Sequence, residues 1–132
     1  MIRQCILAAA IVAAAACKST AAGSGYGGPD TVWRLTTIDG APAQAKTTLT
    51  FPNPGRIAGR APCNSYFGPL NGTFPRFDAP AIASTRRACP DRSLESRYFA
   101  ALRAAKSATR NGDTLILSDG SGRQRAVFKR AE

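Results

Sequence analysis

The sequence predicts an α+β fold that is mainly β: a small antiparallel sheet, curved or barrel-like, with one amphipathic helix packed on it. Between about residues 31 and 130, short β-branched or alternating segments are separated by Gly, Pro, Asn and Asp. One segment after residue 90 has a helical period instead. Neither layer can bury its apolar face alone, so helix and sheet are expected to share one core.

Six or seven short strands are predicted. They span residues 32–38, 47–51, 56–60, 72–77, 82–85, 113–118 and 124–130. Asp39-Gly40 ends the first strand, and residues 119–122 join the last two strands as a hairpin. Pro75 restricts the 72–77 strand to an edge or a bulge, and residues 62–68 are predicted to form a loop.

A single amphipathic helix is predicted after the strands. Asp91 or Ser93 can cap its start, and it is expected to run to about Ala108, before Asn111-Gly112. Its apolar stripe consists of Leu94, Tyr98, Ala101, Leu102 and Ala105. Basic side chains fall mainly off this stripe, which predicts a positive outer face.

The first sixteen residues have the features of an export signal. Arg3 precedes an uninterrupted apolar run from Cys5 to Ala16. This run is shorter than the roughly 20 residues of a membrane-spanning helix, but it fits a signal peptide. Residues 17–30 are rich in Gly, Ser and Ala and are expected to form a flexible tether. Residues 31–132 are then one domain.

Cys17 is the predicted site of lipidation. The small residues before it resemble a bacterial lipobox, although Ala14 stands where that pattern usually has a large aliphatic residue. Lys18, at the next position, favours sorting to the outer membrane. The alternative is ordinary cleavage after Ala16 or Ala22, which would give a soluble periplasmic protein.

Cys63 and Cys89 are predicted to form a disulfide. Cys5 leaves with the signal and Cys17 takes lipid, so one pair remains in an oxidising compartment. Closing this loop stabilises the fold by about 3.5 kcal/mol in the chain-entropy model. A metal site is the weaker alternative, because the sequence has no histidine and no Cys-x-x-Cys.

The residue patterns of common enzymes are missing. Without histidine there is no ordinary catalytic triad and no imidazole base. No lysine has the Ser-x-x-Lys spacing, and most carboxylates fall at turns or at the helix cap. We therefore expect a protein that is not an enzyme and has no cofactor and no metal.

The formal net charge is +10. An exported protein rarely meets nucleic acid, so none is expected as a partner, and anionic headgroups or lipopolysaccharide phosphates are the nearer polyanions. The candidate contact residues are Arg103, Lys106 and Arg110. A basic surface that is only solvated explains the charge equally well. The chain is expected to be a monomer.

Two segments carry the most specific pattern. The first is GRAPCNSYFG at residues 59–68, and the second is TRRACP at residues 85–90. Together with a Trp-x-Leu strand upstream and a closing hairpin, they resemble the META domain, or HslJ-like, family over about residues 31–130. Pro62 departs from the pattern, since members often have Gly there. The motif residues are Trp33, Gly59, Cys63, Asn64, Tyr66, Gly68, Thr85, Arg86, Cys89 and Pro90.

The resemblance implies a barrel-like antiparallel fold with one helix, in a bacterial envelope protein that is often a lipoprotein. It also implies a stress-related module with no catalytic residue to carry over. The expected partner is an anionic envelope component, which the charge alone suggests, or an envelope protein. Asn64 is expected to hydrogen-bond the loop backbone. Trp33, Tyr66, Phe67 and Phe128 are expected to pack in the core or the loops. The alternative function is a soluble periplasmic binder of a small hydrophobic ligand.

Overall fold

The computed structural model describes residues 25–43 and 46–131, which form one antiparallel sheet packed by one helix. The elements are β1 (Val32–Ile38), β2 (Ala41–Pro42), β3 (Thr48–Asn53), β4 (Arg56–Arg60), β5 (Ser65–Pro69), β6 (Ala83–Ser84), α1 (Ser93–Ala104), β7 (Ala105–Asn111), β8 (Thr114–Asp119) and β9 (Gln124–Arg130). The strand order is β6-β5-β4-β3-β1-β9-β8-β7, with β2 paired to β1. The predicted α+β, mainly β class is confirmed, and the sheet is open rather than a closed barrel.

β1 lies between β3 and β9 and supplies three side chains to the core. Trp33 and Leu35 are buried two residues apart, as the alternation of a strand requires. A register shift against β9 between Leu35 and Thr37 then returns Ile38 to the buried side. Other large, fully buried side chains of this core are Leu49, Ile57, Tyr66, Phe77, Tyr98, Leu102, Leu115, Leu117 and Phe128.

The helix packs on β9, β8 and β1. Tyr98, Ala101 and Leu102 of the predicted stripe are fully buried, while Leu94 at its start is only partly buried. The helical spacing of these side chains puts them on one face, so helix and sheet bury their apolar surfaces against each other. This face of the helix was correctly predicted.

The predicted end of the helix was wrong. The helix stops at Ala104, and Ala105 has an extended backbone that leads directly into β7. Six residue pairs register β7 against β8, from Ala105 with Asp119 to Asn111 with Thr114. The Ala, Lys and Arg residues of this segment favour helix locally, but the backbone pairing with β8 overrides that weak preference.

Two predictions for the middle of the chain also differ from the structure. Residues 65–68, predicted as loop, belong to β5, where Tyr66 and Gly68 are buried and Phe67 is exposed. Residues 72–77, predicted as a strand, contain instead a turn in which the Arg76 N–H donates to the Thr73 carbonyl at 2.8 Å. Pro75 lies within this turn and cannot donate to a ladder.

The segment 71–78 covers the outer edge of β7. The Phe77 N–H donates to the Lys106 carbonyl at 3.0 Å, and the Ala108 N–H donates to the Pro75 carbonyl at 2.8 Å. An exposed strand edge offers unpaired backbone groups to other chains, so these bonds protect β7. They also bring the chain from β5, near one end of the sheet, to β7 at the other end.

The folded domain begins before the predicted Thr31. Tyr26 is 3% exposed and stacks on Phe51, with 4.0 Å between ring centroids. Its carbonyl accepts a hydrogen bond from Trp33 Nε1 at 2.8 Å, and its hydroxyl donates to the Arg76 carbonyl at 3.0 Å. Tyr26, predicted as part of the tether, therefore packs on the domain, whereas residues 28–30 after it are exposed; residues 17–24 lie outside the described residues.

Candidate functional site

Three segments meet beside the start of the helix: the 61–64 loop before β5, the 85–92 segment after β6, and the first turn of α1. The predicted disulfide between Cys63 and Cys89 joins the first two, with 6.3 Å between the Cα atoms. That separation is normal for a disulfide. We call Cys63, Asn64, Thr85, Cys89 and Glu95 the loop centre.

Asn64 connects all three segments. It is 4% exposed, and its side-chain Nδ2 donates to Glu95 Oε2 at 2.9 Å. Its Oδ1 accepts hydrogen bonds from Thr85 Oγ1 at 3.0 Å and from the Arg87 N–H at 2.6 Å. The prediction that Asn64 hydrogen-bonds the loop backbone is confirmed by the Arg87 bond.

Glu95 is the residue that the sequence analysis missed. It is 5% exposed, and its Oε1 accepts the backbone N–H groups of Cys63 at 3.1 Å and Asn64 at 2.7 Å. Burial acts to raise the pKa of Glu95, but the hydrogen bonds from Asn64 and Cys63 and the charge of Arg92 outweigh it and hold the pKa below its ordinary value. Glu95 is therefore a buried carboxylate that is ionised at neutral pH.

A sequence signal for Glu95 did exist. Phe99 and Leu102 follow it at i+4 and i+7 and are buried, so Glu95 lies on the apolar face of the helix. A carboxylate on such a face needs a buried partner, because an unpaired buried charge is costly. The partner itself could not be read from the sequence, since Asn64 is 31 residues away.

Tyr66 and Gly59 have structural roles beside the loop centre. The Tyr66 hydroxyl donates to the Thr48 carbonyl at 2.6 Å and lies 2.5 Å from the Tyr98 hydroxyl. Burial raises the pKa of both tyrosines, so both remain protonated donors. At Gly59 a Cβ would collide with the Thr48 carbonyl and lie 2.9 Å from the Tyr66 hydroxyl, so only glycine fits there.

Two further motif residues, Trp33 and Gly68, also support the fold. Trp33 is fully buried and Gly68 is packed so closely on the Ala81 carbonyl that a Cβ has no room. Pro90 is exposed next to Cys89. Of the four aromatic residues expected to pack, Trp33, Tyr66 and Phe128 are buried. Phe67 is 48% exposed on β5, with the Arg56 guanidinium over its ring, so it does not belong to the core.

An open cleft of about 310 Å³ adjoins the loop centre. Its inner part is formed by the buried Asn64 and Glu95. The remaining lining side chains are Ser84, Thr85 and Arg86 from β6 and the segment after it, and Arg92, Ser96 and Phe99 from the start of the helix. We call this the β6–α1 cleft. It contains Arg86, which the sequence analysis named, and Arg92, which it did not.

The three basic residues predicted to contact an anionic surface do not share the helix. Arg103 is exposed on α1, with its guanidinium 5.9 Å from the Phe99 ring centroid. Lys106 and Arg110 lie on β7, because the helix ends earlier than predicted. Lys106 forms an ion pair with Asp78 at 3.3 Å, and Arg110 lies over the Trp33 ring at 5.3 Å.

The remaining predictions concern the lipidation site, the export signal and metal binding. Cys17 and the export signal lie outside the described residues. Within residues 25–43 and 46–131, no helix has the length and apolar character that a membrane crossing needs. The same residues contain no group of three or more Cys, Asp or Glu side chains arranged to hold a metal ion.

The fold and the loop centre define a small disulfide-linked domain with an open sheet and one helix. The META domain model matches residues 29–132, and the chain belongs to this family. The resemblance seen in the two loop motifs is thus confirmed.

Two solved structures share the fold, both determined by NMR. One has a TM-score of 0.61 and 18% sequence identity, covering 77% of this chain and 90% of that chain. The other, a protein from Burkholderia xenovorans, has a TM-score of 0.57 and 22% identity, covering 77% of this chain and 82% of that chain. At these identities the likeness extends to the fold alone. No curated protein is a significant match.

Proposed function

We propose that this META-domain protein is a non-catalytic module of the bacterial envelope, anchored at the outer membrane through lipid on Cys17, where it binds an anionic envelope component or an envelope protein as part of a stress response. The observation that carries the proposal is the Cys63–Cys89 disulfide beside the buried Glu95. Structural disulfides persist in oxidising compartments such as the periplasm. A disulfide between two loops is of use to a protein that works there.

The arrangement at Glu95 supports a structural rather than a catalytic role. Both carboxylate oxygens accept hydrogen bonds from Asn64 or Cys63. A general acid or base works best with a pKa near the operating pH, whereas these bonds lower the pKa of Glu95. The carboxylate therefore joins the helix to the 61–64 loop and keeps no proton to donate at neutral pH.

The interior of the domain favours this proposal over the alternative of a hydrophobic-ligand binder. Trp33, Tyr98 and Phe128 are all fully buried in the core. Close-packed side chains of this size occupy the space that an apolar ligand would need. A contact at the outer surface is therefore the better-supported mode of binding.

The anchor is tested by labelling cells with a radioactive or clickable fatty acid. The wild-type protein is expected to incorporate the label and to sediment with the outer membrane, whereas Cys17→Ala is expected to lose both properties. A single sulfur carries the predicted lipid, so the contrast should be complete. Equal labelling of the two proteins would contradict the lipoprotein proposal and favour the soluble periplasmic form.

The anionic surface is tested with vesicles that contain phosphatidylglycerol. The double variant Arg103→Gln, Lys106→Gln is expected to bind more weakly than wild type, most clearly at low salt. Arg110 is left intact because it packs over Trp33. The matched control is Arg123→Gln, Lys129→Gln, which removes the same charge from two exposed residues elsewhere. If both double variants bind equally, binding depends on overall charge rather than on Arg103 and Lys106, and the proposed surface is contradicted.

A further inference from the structure

We propose that the β6–α1 cleft binds a small organic anion, with a phosphate or carboxylate group held by Arg86 and Arg92 and an apolar part against Phe99. This inference goes beyond the proposed function, because it needs no lipid anchor and assigns a ligand class to a cleft of the domain itself. It concerns a site distinct from Arg103, Lys106 and Arg110. The ligand class follows from the charge, the hydroxyl groups and the volume of the cleft.

The two arginines give the cleft its positive charge. Both side chains are exposed, and neither has an ion pair within 4.0 Å among the described residues. Glu95 is the one acidic residue that lines the cleft, so the lining side chains carry a net positive charge. Guanidinium groups bind carboxylates and phosphates through two parallel hydrogen bonds, which suits a site for an oxyanion.

The negative charge of Glu95 remains, but hydrogen bonds from its neighbours stabilise it. Its oxygens accept three hydrogen bonds from Asn64 and Cys63 at 2.7 to 3.1 Å. An incoming anion therefore does not meet an unsolvated carboxylate. The arginines are left to interact with the ligand, because Glu95 directs its oxygens towards the 61–64 loop.

Hydroxyl groups add hydrogen-bond donors at the same place. Ser84 and Ser96 line the cleft, and neither side chain forms a hydrogen bond within the described part of the chain. Thr85 differs, since its hydroxyl donates to Asn64 Oδ1. Two hydroxyls beside two guanidiniums supply enough donors for the several lone pairs of a phosphate or carboxylate group.

The walls of the cleft are fixed before any ligand arrives. The disulfide joins the 85–92 segment to the 61–64 loop, and Asn64 ties both to Glu95 on the helix. A preformed site loses less conformational entropy on binding than a flexible one. This part of the domain can therefore hold a small ligand with few contacts.

The volume and one wall indicate an organic molecule rather than a bare ion. About 310 Å³ lies at the lower end of the range for ligand pockets and exceeds the need of a single phosphate ion. Phe99 contributes an aromatic ring that is 9% exposed. The ligand is thus a small molecule with one anionic end and one apolar part, either free in the periplasm or as the headgroup region of a lipid.

The test uses the mature chain with Cys17→Ala, which carries no lipid, followed by amide NMR during titration. The probes are phenyl phosphate and benzoate, with benzyl alcohol as the neutral counterpart. Saturable shifts are expected for the two anions, centred on Arg86, Arg92 and Ser96. Benzyl alcohol is expected to cause none at the same concentration. Equal shifts with benzyl alcohol, or no saturable shift with either anion, would overturn the proposal.

Variants then locate the site. Arg86→Gln and Arg92→Gln are each expected to weaken binding of the anionic probe about tenfold, the loss typical of one charge-assisted contact. Arg97→Gln is the matched control, because Arg97 is exposed on the same helix and does not line the cleft. An equal loss for Arg97→Gln would show that binding reflects overall charge, which contradicts the proposal.

A second type of variant tests the cleft without changing charge. Ser96→Leu is expected to block the probes by filling the cleft, while leaving the thermal unfolding midpoint close to wild type because Ser96 is exposed. Unchanged binding by this folded variant would contradict the site.

The source of the anion is separated by two further probes, glycerol 3-phosphate and vesicles of phosphatidylglycerol. If the protein binds glycerol 3-phosphate and Arg86→Gln weakens that binding, the result supports a free ligand. Vesicle binding that Arg86→Gln abolishes, without binding of glycerol 3-phosphate, supports a lipid headgroup. If Arg86→Gln changes the binding of neither probe, the assignment of the ligand to this cleft is overturned.

Discussion

The hydrophobic core and the loop centre stabilise the same helix in different ways. On the core side, Tyr98 and Leu102 are buried among apolar side chains such as Phe128. In the first turn of the helix, on the same face, Glu95 is held by three hydrogen bonds from a loop that a disulfide restrains. Apolar contacts stabilise with little dependence on orientation, whereas hydrogen bonds and a disulfide require specific partners.

This difference separates the residues that make the domain fold from those that fix its surface. The core could stabilise the fold equally well with other apolar side chains of similar volume. The loop centre does not tolerate such replacement, because each hydrogen-bond donor and acceptor in it requires one specific partner. The contrast can be tested by weakening one region at a time.

The largest effect is expected in the core. Phe128→Ala should lower the free energy of unfolding by about 3–5 kcal/mol, because it removes a fully buried ring and leaves a cavity. Phe67→Ala is the control, since its ring is 48% exposed and should cost far less. Urea denaturation measures both. A cost for Phe67→Ala that equals the cost for Phe128→Ala would contradict the assignment of the core.

Loss of the disulfide should come next. The double variant Cys63→Ala, Cys89→Ala is expected to lose about 3.5 kcal/mol, as the 26-residue separation implies in the chain-entropy model. Wild-type protein whose disulfide has been reduced should lose a similar amount of stability. Beyond the global loss, amide hydrogen exchange should rise most at residues 61–64 and 85–92. A uniform rise that includes the interior of the helix would show that the disulfide does not act locally.

Glu95→Gln is expected to cost about 2–3 kcal/mol, because the new amide group donates where Asn64 also donates and the charge-assisted bonds are lost. Asp30→Asn, at an exposed position, is the control and should change stability by less than about 0.5 kcal/mol. Both are measured by urea denaturation at pH 7.

The same variant makes a prediction about pH. The pKa of Glu95 is lowered in the folded state, so its stabilising effect is present above its ordinary pKa of 4.5 and is lost as pH falls through the folded value. The difference between wild type and Glu95→Gln should therefore shrink on acidification. A constant difference from pH 7 down to pH 2 would contradict the role of the charge.

The smallest effect is expected at the tyrosine pair. Tyr66→Phe should cost about 1 kcal/mol, because the Thr48 carbonyl loses its 2.6 Å donor. Tyr98→Phe should cost less, since Tyr66 still donates to Thr48. Thermal denaturation of the two variants measures the order. The reverse order would mean that Tyr98 is the main donor to Thr48.

The contrast between the two regions also explains what could be predicted. β1, β4 and β9 follow from local alternation and turn residues, and the buried face of the helix follows from its period. The pairing of Cys63 with Cys89 follows from counting cysteines once Cys5 and Cys17 are assigned to the predicted signal and the predicted lipidation site. Each of these depends on residues close in sequence or on very few candidates.

The errors have a common cause. β7 begins with Ala105 and Lys106, which favour helix, and it is a strand because β8 and the segment 71–78 supply its hydrogen bonds. β5 contains Gly68 and Pro69, which read as loop, yet it pairs with β4 over five residues. In both cases partners distant in sequence outweighed local preference.

By itself, the sequence determined the fold class, the apolar face of the helix, the disulfide pair and the family of this protein. It could do so because alternation, helical period and cysteine number are local or countable properties. Only the tertiary structure decided that Glu95 binds Asn64, that Arg86 and Arg92 line one cleft, and that Tyr26 belongs to the core. Those facts depend on which distant segments meet, and directional polar contacts leave no period in the sequence.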